Sequence, residues 1–297
     1  MNAPARPILC IGAAHWDIIA HAHEALHPGA DVAGHVEQRP GGVALNIASA
    51  LASRSVRPIL LSVVGEDAPG RALIAAAEAR GVNCQFITEL PHATDSYIAI
   101  ETAQGELFAA TADCALLEAA GAAFLEPLRD GRLSSFGNPF PGMVIVDGNL
   151  GAMAIQELAE SDLLAEADIR LAPASPSKAR RLLPLLAGGR VTVYANVAEA
   201  EALAGTPLPH ADAAATALRE LGARAALVTD GPRPAAYCRG DRTIFALPPP
   251  VRARTATGAG DVLVAAHITA ETTAATDWDA LRRALRVAAW HVAGPRG

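Results

Sequence analysis

The sequence predicts an α/β fold in which a mostly parallel sheet carries helices on both faces and a small β-strand lid sits to one side. Short, predominantly apolar runs at 8–11, 59–64, 143–146, 169–171, 191–194 and 225–228 have strand length, the pattern of strands buried on both faces. Between them lie segments of helical pattern, at 44–53, 155–166 and 211–221, and strand–helix alternation is what a parallel sheet with crossover helices requires. Two stretches, 18–38 and 96–110, break the rhythm with shorter alternating patterns and a turn at Gln104-Gly105. They read as extra strands outside the main sheet, either a lid able to close over a site at the sheet edge or ordinary surface hairpins. The segment 133–142, with two prolines and two glycines, reads as a loop.

With 297 residues, 51% of them hydrophobic, the chain can bury one large core, so a single domain over 1–297 is expected, with lid strands inserted at about 18–38 and 96–110. Aromatic residues make up only 4%, which suits Ala/Leu/Val/Ile helices on a sheet better than an aromatic binding surface. A net charge of −7 without blocks of like charge argues against a nucleic-acid polymer as partner. The four cysteines, Cys10, Cys84, Cys114 and Cys238, have no CxxC spacing, so neither zinc nor a disulfide framework is indicated. The apolar run 8–14 is too short to span a bilayer and leads into His15-Trp16-Asp17; no membrane association and a cytoplasmic location are expected.

The most informative stretch is Thr257-Gly258-Ala259-Gly260-Asp261, followed by a segment compatible with a helix, 262–272. Small residues before a helix let backbone N–H groups converge on an anion at the positive end of the helix dipole. Asp261 in the first turn would then stand beside a phosphoryl group, placed to take a proton from a hydroxyl. An ordinary helix start with an acidic residue looks the same. No GxxxxGK[ST] and no GxGxxG after the first strand is present, which removes P-loop chemistry and disfavours a dinucleotide dehydrogenase. Gly41-Gly42 opens a second helix with Asn46 one turn inside; this allows close ligand approach and offers an amide to a polyol, or is simply a tight turn. Asn196 and Glu199 follow the strand 191–194 and share one face of a helical turn, fit to order Mg²⁺ waters or to cap the helix.

In this order the stretches resemble the PfkB (ribokinase-like) family of carbohydrate and nucleoside kinases over nearly the whole chain. The carriers are 12–17, Gly41-Gly42 with Asn46, the turn 64–70, Asn196 with Glu199, 228–231 and 257–261. The resemblance implies a Rossmann-like ribokinase fold with a β lid, and ATP with Mg²⁺ as phosphoryl donor. It implies Asp261 as base, with the amides of Gly258, Ala259 and Gly260 as anion hole. Asp17, Gly41, Gly42 and Asn46, with His15 beside them, would hold sugar hydroxyls. Asn196, Glu199, Thr229, Gly231 and Thr257 would serve nucleotide and phosphate, Glu199 reaching the metal through water. A helix-start aspartate is expected to stay ionised at neutral pH, so that proton transfer comes late.

Among subfamilies the chain looks most like pseudouridine kinases, through Thr94-Asp95-Ser96-Tyr97, Asp113, Asp147-Gly148-Asn149 and Pro173-Ala174-Ser175 with Lys178. Ser96, Asp113, Asn149 and Lys178 thereby join the expected substrate site. Lys178 is the one lysine in a chain otherwise basic through arginine, a hint of a compact ammonium near a ligand, or an exposed helix lysine. Three departures from the family pattern stand out: His15 where Asn is common, Ala172 where an Asp-Pro pair is common, and Thr255 in place of an acid or amide, which touches nucleotide or monovalent-cation (K⁺) binding. The acceptor is therefore read as a nucleoside, pseudouridine favoured, with a free sugar such as ribose, fructose or 2-keto-3-deoxygluconate as the alternative. A sugar- or nucleotide-binding sensor without turnover is the reading from another class. The histidines His15, His21, His23, His27 and His35 fit no common ligand spacing and read as a polar lid rim. Exposed lid strands need covering, so a homodimer through the lid is expected.

Overall fold

The computed structural model describes residues 6–252 and 257–294. In the first part of the chain come β1 (Ile8–Ile11), β2 (His15–Ala22), β3 (Gly34–Gly41), α1 (Val43–Ala52), β4 (Ile59–Leu61), β5 (Val63–Gly65), α2 (Ala68–Ala79), β6 (Thr88–Leu90), β7 (Ser96–Glu101) and β8 (Leu107–Asp113). The middle holds α3 (Ala115–Ala119), β9 (Met143–Asp147), α4 (Ala152–Glu160), β10 (Asp168–Ala172), α5 (Pro176–Ala179), α6 (Leu183–Leu186), β11 (Thr192–Asn196), α7 (Val197–Ala204) and α8 (Ala211–Glu220). It ends with β12 (Ala225–Asp230), β13 (Arg233–Arg239), β14 (Arg242–Ala246), α9 (Ala259–Glu271) and α10 (Asp277–Ala293).

Eight strands form the main sheet in the order β14-β13-β12-β11-β10-β9-β1-β4. From β12 to β4 every pair is parallel, while β13 and β14 add an antiparallel edge. Strand periodicity explains the predominantly apolar runs. Leu9, Ile11, Val144 and Val146 face one cluster, which includes buried residues of α4, α7 and α8. Cys10, Ile145 and Leu227 face the other, with α1, α9 and α10. Both faces are covered, so both phases of these strands are largely apolar, with Arg170 of β10 and Thr192 of β11 as buried polar exceptions.

The stretches 18–38 and 96–110 supply most of a separate four-stranded sheet, β3-β2-β7-β8, whose strands reach back to His15 and on to Asp113. One face of it carries Tyr97 and its register partner Ala112, which line the main cavity. The other presents Val36, Ala20, Ile100 and Ala109 in one cross-strand row, with Val36 and Ile100 exposed.

Two expected elements are corrected. The run 59–64 is not one strand: buried Ser62 interrupts it, its Oγ donating to the Gly12 carbonyl at 2.6 Å, and β5 leaves the main sheet to pair with β6. The helix expected over 155–166 starts at Ala152 and ends at Glu160, because Ser161 is extended, and a short 3₁₀ turn follows over Asp162–Leu164. The β13–β14 hairpin and α10 had no counterpart in the sequence reading. No helix among the described residues is long and apolar enough to cross a membrane.

Candidate active site

Parallel strands deliver their carboxyl ends to one edge of the sheet, where α/β folds place ligands. Here that edge gathers the residues after β9, β10, β11 and β12 against the start of α9, under the β2/β7/β8 side of the smaller sheet, around a cavity of about 670 Å³.

At its floor, α9 begins at Gly258, whose φ of +78° is left-handed backbone that favours glycine. A Cβ on Gly260 would meet nothing within 4 Å, so this turn leaves open space on its cavity side. The first amides of a helix have no intrahelical acceptor and are free for an anion. Asp261 lies half-buried in that first turn, and its Oδ2 accepts from Asn46 Nδ2 at 2.9 Å, across 215 residues of sequence. Burial pushes the Asp261 carboxyl up to about 7; Asn46 opposes this, and the nearby carboxylates Asp147, Glu199 and Asp17 add to it. The sequence reading of a fully ionised aspartate is thereby corrected: near neutrality the free chain holds both forms, which brings the group close to the working range of a general base.

Asn46 is presented by α1, whose first residues turn under Gly42. That glycine has φ +96°, and a Cβ there would sit 2.3 Å from the Ala13 carbonyl oxygen. Gly41 does not line the cavity but makes room for it, since its Cβ would fall 2.1 Å from Asp17 Oδ1. Asp17 is buried, with His15 Nδ1 at 3.3 Å and Arg39 Nε at 3.6 Å from its oxygens.

A carboxylate that the sequence reading left without a role holds this corner together. Asp147, fully buried at the end of β9, accepts from the backbone N–H groups of Ala13, Ala44 and Asn149 at 2.9, 3.0 and 2.8 Å. It ties β1, α1 and the loop after β9 to one point, and Gly12 is needed because a Cβ there would lie 2.2 Å from Asp147 Cγ. An acid closing a wholly apolar strand was the available signal.

Beyond it, Asn149 Oδ1 accepts from Lys178 Nζ at 2.6 Å, and that ammonium also reaches Cys114 Sγ at 3.6 Å. The lysine therefore sits on the cavity wall, not on an open helix surface. Between the two run Pro173, Ala174 and Ser175. Ala174 has φ +69°, a conformation that costs a residue with a Cβ about 1 kcal/mol.

Asn196 and Glu199 form a reciprocal cap on α7. Glu199 N–H donates to Asn196 Oδ1 and Asn196 N–H to Glu199 Oε2, both at 2.9 Å. Both residues nonetheless line the cavity, and burial pushes the Glu199 carboxyl up. Thr229 and Thr257 line it too.

Three expected residues stand elsewhere. Ser96 and Asp113 pair with each other across β7 and β8, away from the lining, and Asp113 Oδ1 accepts from Ala115 N–H at 3.2 Å. Gly231, at φ +57°, shapes the β12–β13 turn. Tyr97 and Cys114 line the cavity in their place. Neighbours in a strand point to opposite faces, so the motif alone could not choose between Ser96 and Tyr97. Thr255 lies outside the described residues. Among the described residues no group of three or more His, Cys, Asp or Glu side chains is arranged to hold a metal ion.

A parallel sheet whose strand ends meet a glycine-started helix and a buried carboxylate, roofed by a second small sheet, is the architecture of a ribokinase-like small-molecule kinase. The sequence profile of the pfkB family carbohydrate kinases matches residues 5–295. The chain belongs to that family, whose members are ATP-dependent phosphotransferases acting on sugars and nucleosides. It is similar to the pseudouridine kinase of Escherichia coli K12, 32% identical over 119 residues, which span 40% of this chain and 38% of that enzyme. A carbohydrate kinase from Agrobacterium tumefaciens superposes with TM-score 0.77 at 27% identity, over 96% of this chain and 90% of that one. The ribokinase of Arabidopsis thaliana, solved with ribose and ATP, shares the fold with TM-score 0.75 at 20% identity, over 97% and 93% of the two chains.

Proposed function

We propose that this chain transfers the γ-phosphoryl group of ATP to the 5′-hydroxyl of a nucleoside, pseudouridine, with Asp261 as the base. The observation that carries the reading is the Asn46–Asp261 hydrogen bond at the floor of the cavity, in the same turn as the free amides of α9. By engaging Oδ2, Asn46 fixes the carboxylate plane and leaves Oδ1 for the acceptor hydroxyl. The first-turn amides, at Ala259 and Gly260, stabilise negative charge on the transferring group. As the new O–P bond forms and the bond from the γ-phosphorus to the β–γ bridging oxygen breaks, releasing ADP, the hydroxyl proton passes to Oδ1, and a carboxyl whose free value is about 7 accepts it with little penalty.

Magnesium arriving with the nucleotide supplies neutralisation of the phosphate charge. The residues present fit it in an outer-sphere role: Glu199 has one oxygen in the α7 cap, leaving Oε1 without a protein partner among the described residues.

For the acceptor, Asp17 and Asn46 offer paired contacts to ribose hydroxyls. The Lys178–Asn149 pair and Tyr97 lie further along the same cavity wall and provide donors, an acceptor and an aromatic face for a polar base. The partial identity to a pseudouridine kinase supports the same choice. The test is ATP-dependent ADP production over a panel of pseudouridine, uridine, adenosine, ribose, fructose and 2-keto-3-deoxygluconate. Turnover of pseudouridine without ribose is expected. Turnover of ribose alone would replace the nucleoside reading, and no turnover of any acceptor with ATP bound would leave a sensor.

A further inference from the structure

A second cavity, of about 550 Å³, shares Asp17, Asn46, Thr257 and Gly258 with the first and runs along α1 toward the ends of α2 and α10. Its wall on this side is formed by residues 46, 49 and 50 of α1 and by 53 and 54 of the turn that ends it, the spacing of one helical face. In a chain of net charge −7 this wall is basic: Arg39, Arg54, Arg80 and His291 line it, with Asp17 as its one carboxylate.

Arg39 is matched by Asp17 and Glu37. Arg54 and Arg80 have no carboxylate at ion-pair distance among the described residues. Burial lowers the Arg54 pKa with no anion to offset it. Its Nη1 reaches only the Ala50 carbonyl at 2.5 Å and Ser53 Oγ at 3.2 Å. A separate observation lies beside it: Ser49 Oγ, on the same wall, is buried with no hydrogen-bond partner. Buried hydroxyls are ordinarily satisfied, and an unfilled one beside uncompensated guanidinium groups marks a place for an acceptor-rich anion.

We propose that this cavity is a second anion site, adjoining the phosphoryl-transfer site, that takes a phosphate group, free or as a small phosphomonoester, on Arg54, Arg80 and Ser49. Guanidinium groups bind phosphate oxygens bidentately, and the serine hydroxyl donates to a third. The site also adjoins the catalytic turn, since His291 Nε2 lies 2.9 Å from the Thr257 carbonyl oxygen. An occupied site would thereby brace the start of α9.

The experiment is calorimetric titration of the full chain with inorganic phosphate and, separately, ribose 5-phosphate, with Mg–AMP-PNP and pseudouridine together saturating both halves of the first cavity. Phosphate binding to the nucleotide-loaded chain is expected. It should weaken about tenfold or more in Arg54→Gln/Arg80→Gln and in the single exposed variant Arg80→Glu, while nucleotide affinity stays unchanged. Tighter binding of ribose 5-phosphate than of inorganic phosphate identifies a phosphomonoester as the natural ligand, and the reverse identifies free phosphate. The cations also sit near the C-terminal ends of α1, α2 and α10, where they could serve helix carbonyls alone. If the variants only lower the melting temperature and leave phosphate affinity intact, or if the loaded wild-type chain binds no phosphate, the proposal falls.

Discussion

Replacing Asp261 by asparagine should make the protein inactive and, at alkaline pH, more stable. The carboxyl rises from its ordinary 3.8 to about 7 on folding, so the folded state disfavours the ionised form. The associated stability is complete below 3.8 and is lost as pH rises through about 7. At about 1.36 kcal/mol per pH unit the full interval corresponds to about 4 kcal/mol. The side chain is only half-buried, and solvent screening brings the expected gap to about 2 kcal/mol. Asparagine has the same shape, cannot ionise and carries no such penalty. Thermal unfolding of both proteins at pH 5 and pH 8 isolates the effect, because other titrating groups cancel in the difference. Because the part between 3.8 and 5 is already lost at the lower pH, the advantage of Asp261→Asn should grow by about 1.3 kcal/mol between the two, about two degrees for a chain of this size, while ADP production falls by about 10² to 10⁴. A difference that is flat with pH would refute the account of the carboxyl's surroundings, and retained turnover would refute its role as base.

Asn46→Ala removes the hydrogen bond that holds the Asp261 carboxyl down; the acidic limb of the kcat/KM profile should move to higher pH, measured by initial rates from pH 5 to 9. Asp147→Asn sets an amide donor among three backbone N–H donors and should cost about 2–3 kcal/mol in urea unfolding at pH 7. The exposed row of Val36 and Ile100 on the outer face of the smaller sheet is expected to pair two copies of the chain, giving twice the chain mass by light scattering at working concentration. Ile100→Glu should return the mass to that of one chain, and a monomeric wild type would remove the homodimer.

What the sequence determined was whatever local pattern can encode. Predominantly apolar runs required strands covered on both faces, and glycine at 42 and 258 marked backbone that a Cβ would not tolerate. The order of the stretches around Gly42, Asn196 and Asp261 identified the kinase family. Tertiary structure alone decided how those pieces meet. The partnership of Asn46 with Asp261 spans 215 residues, and the anchoring of β1, α1 and the β9 loop on Asp147 joins three separate segments. The choice of Tyr97 over Ser96 for the cavity depends on the pairing of β7 with its neighbours. The pKa of Asp261 likewise arises from desolvation and from three carboxylates on other elements. These are long-range quantities, fixed when distant strand ends are packed to one edge, and no window of neighbouring residues contains them.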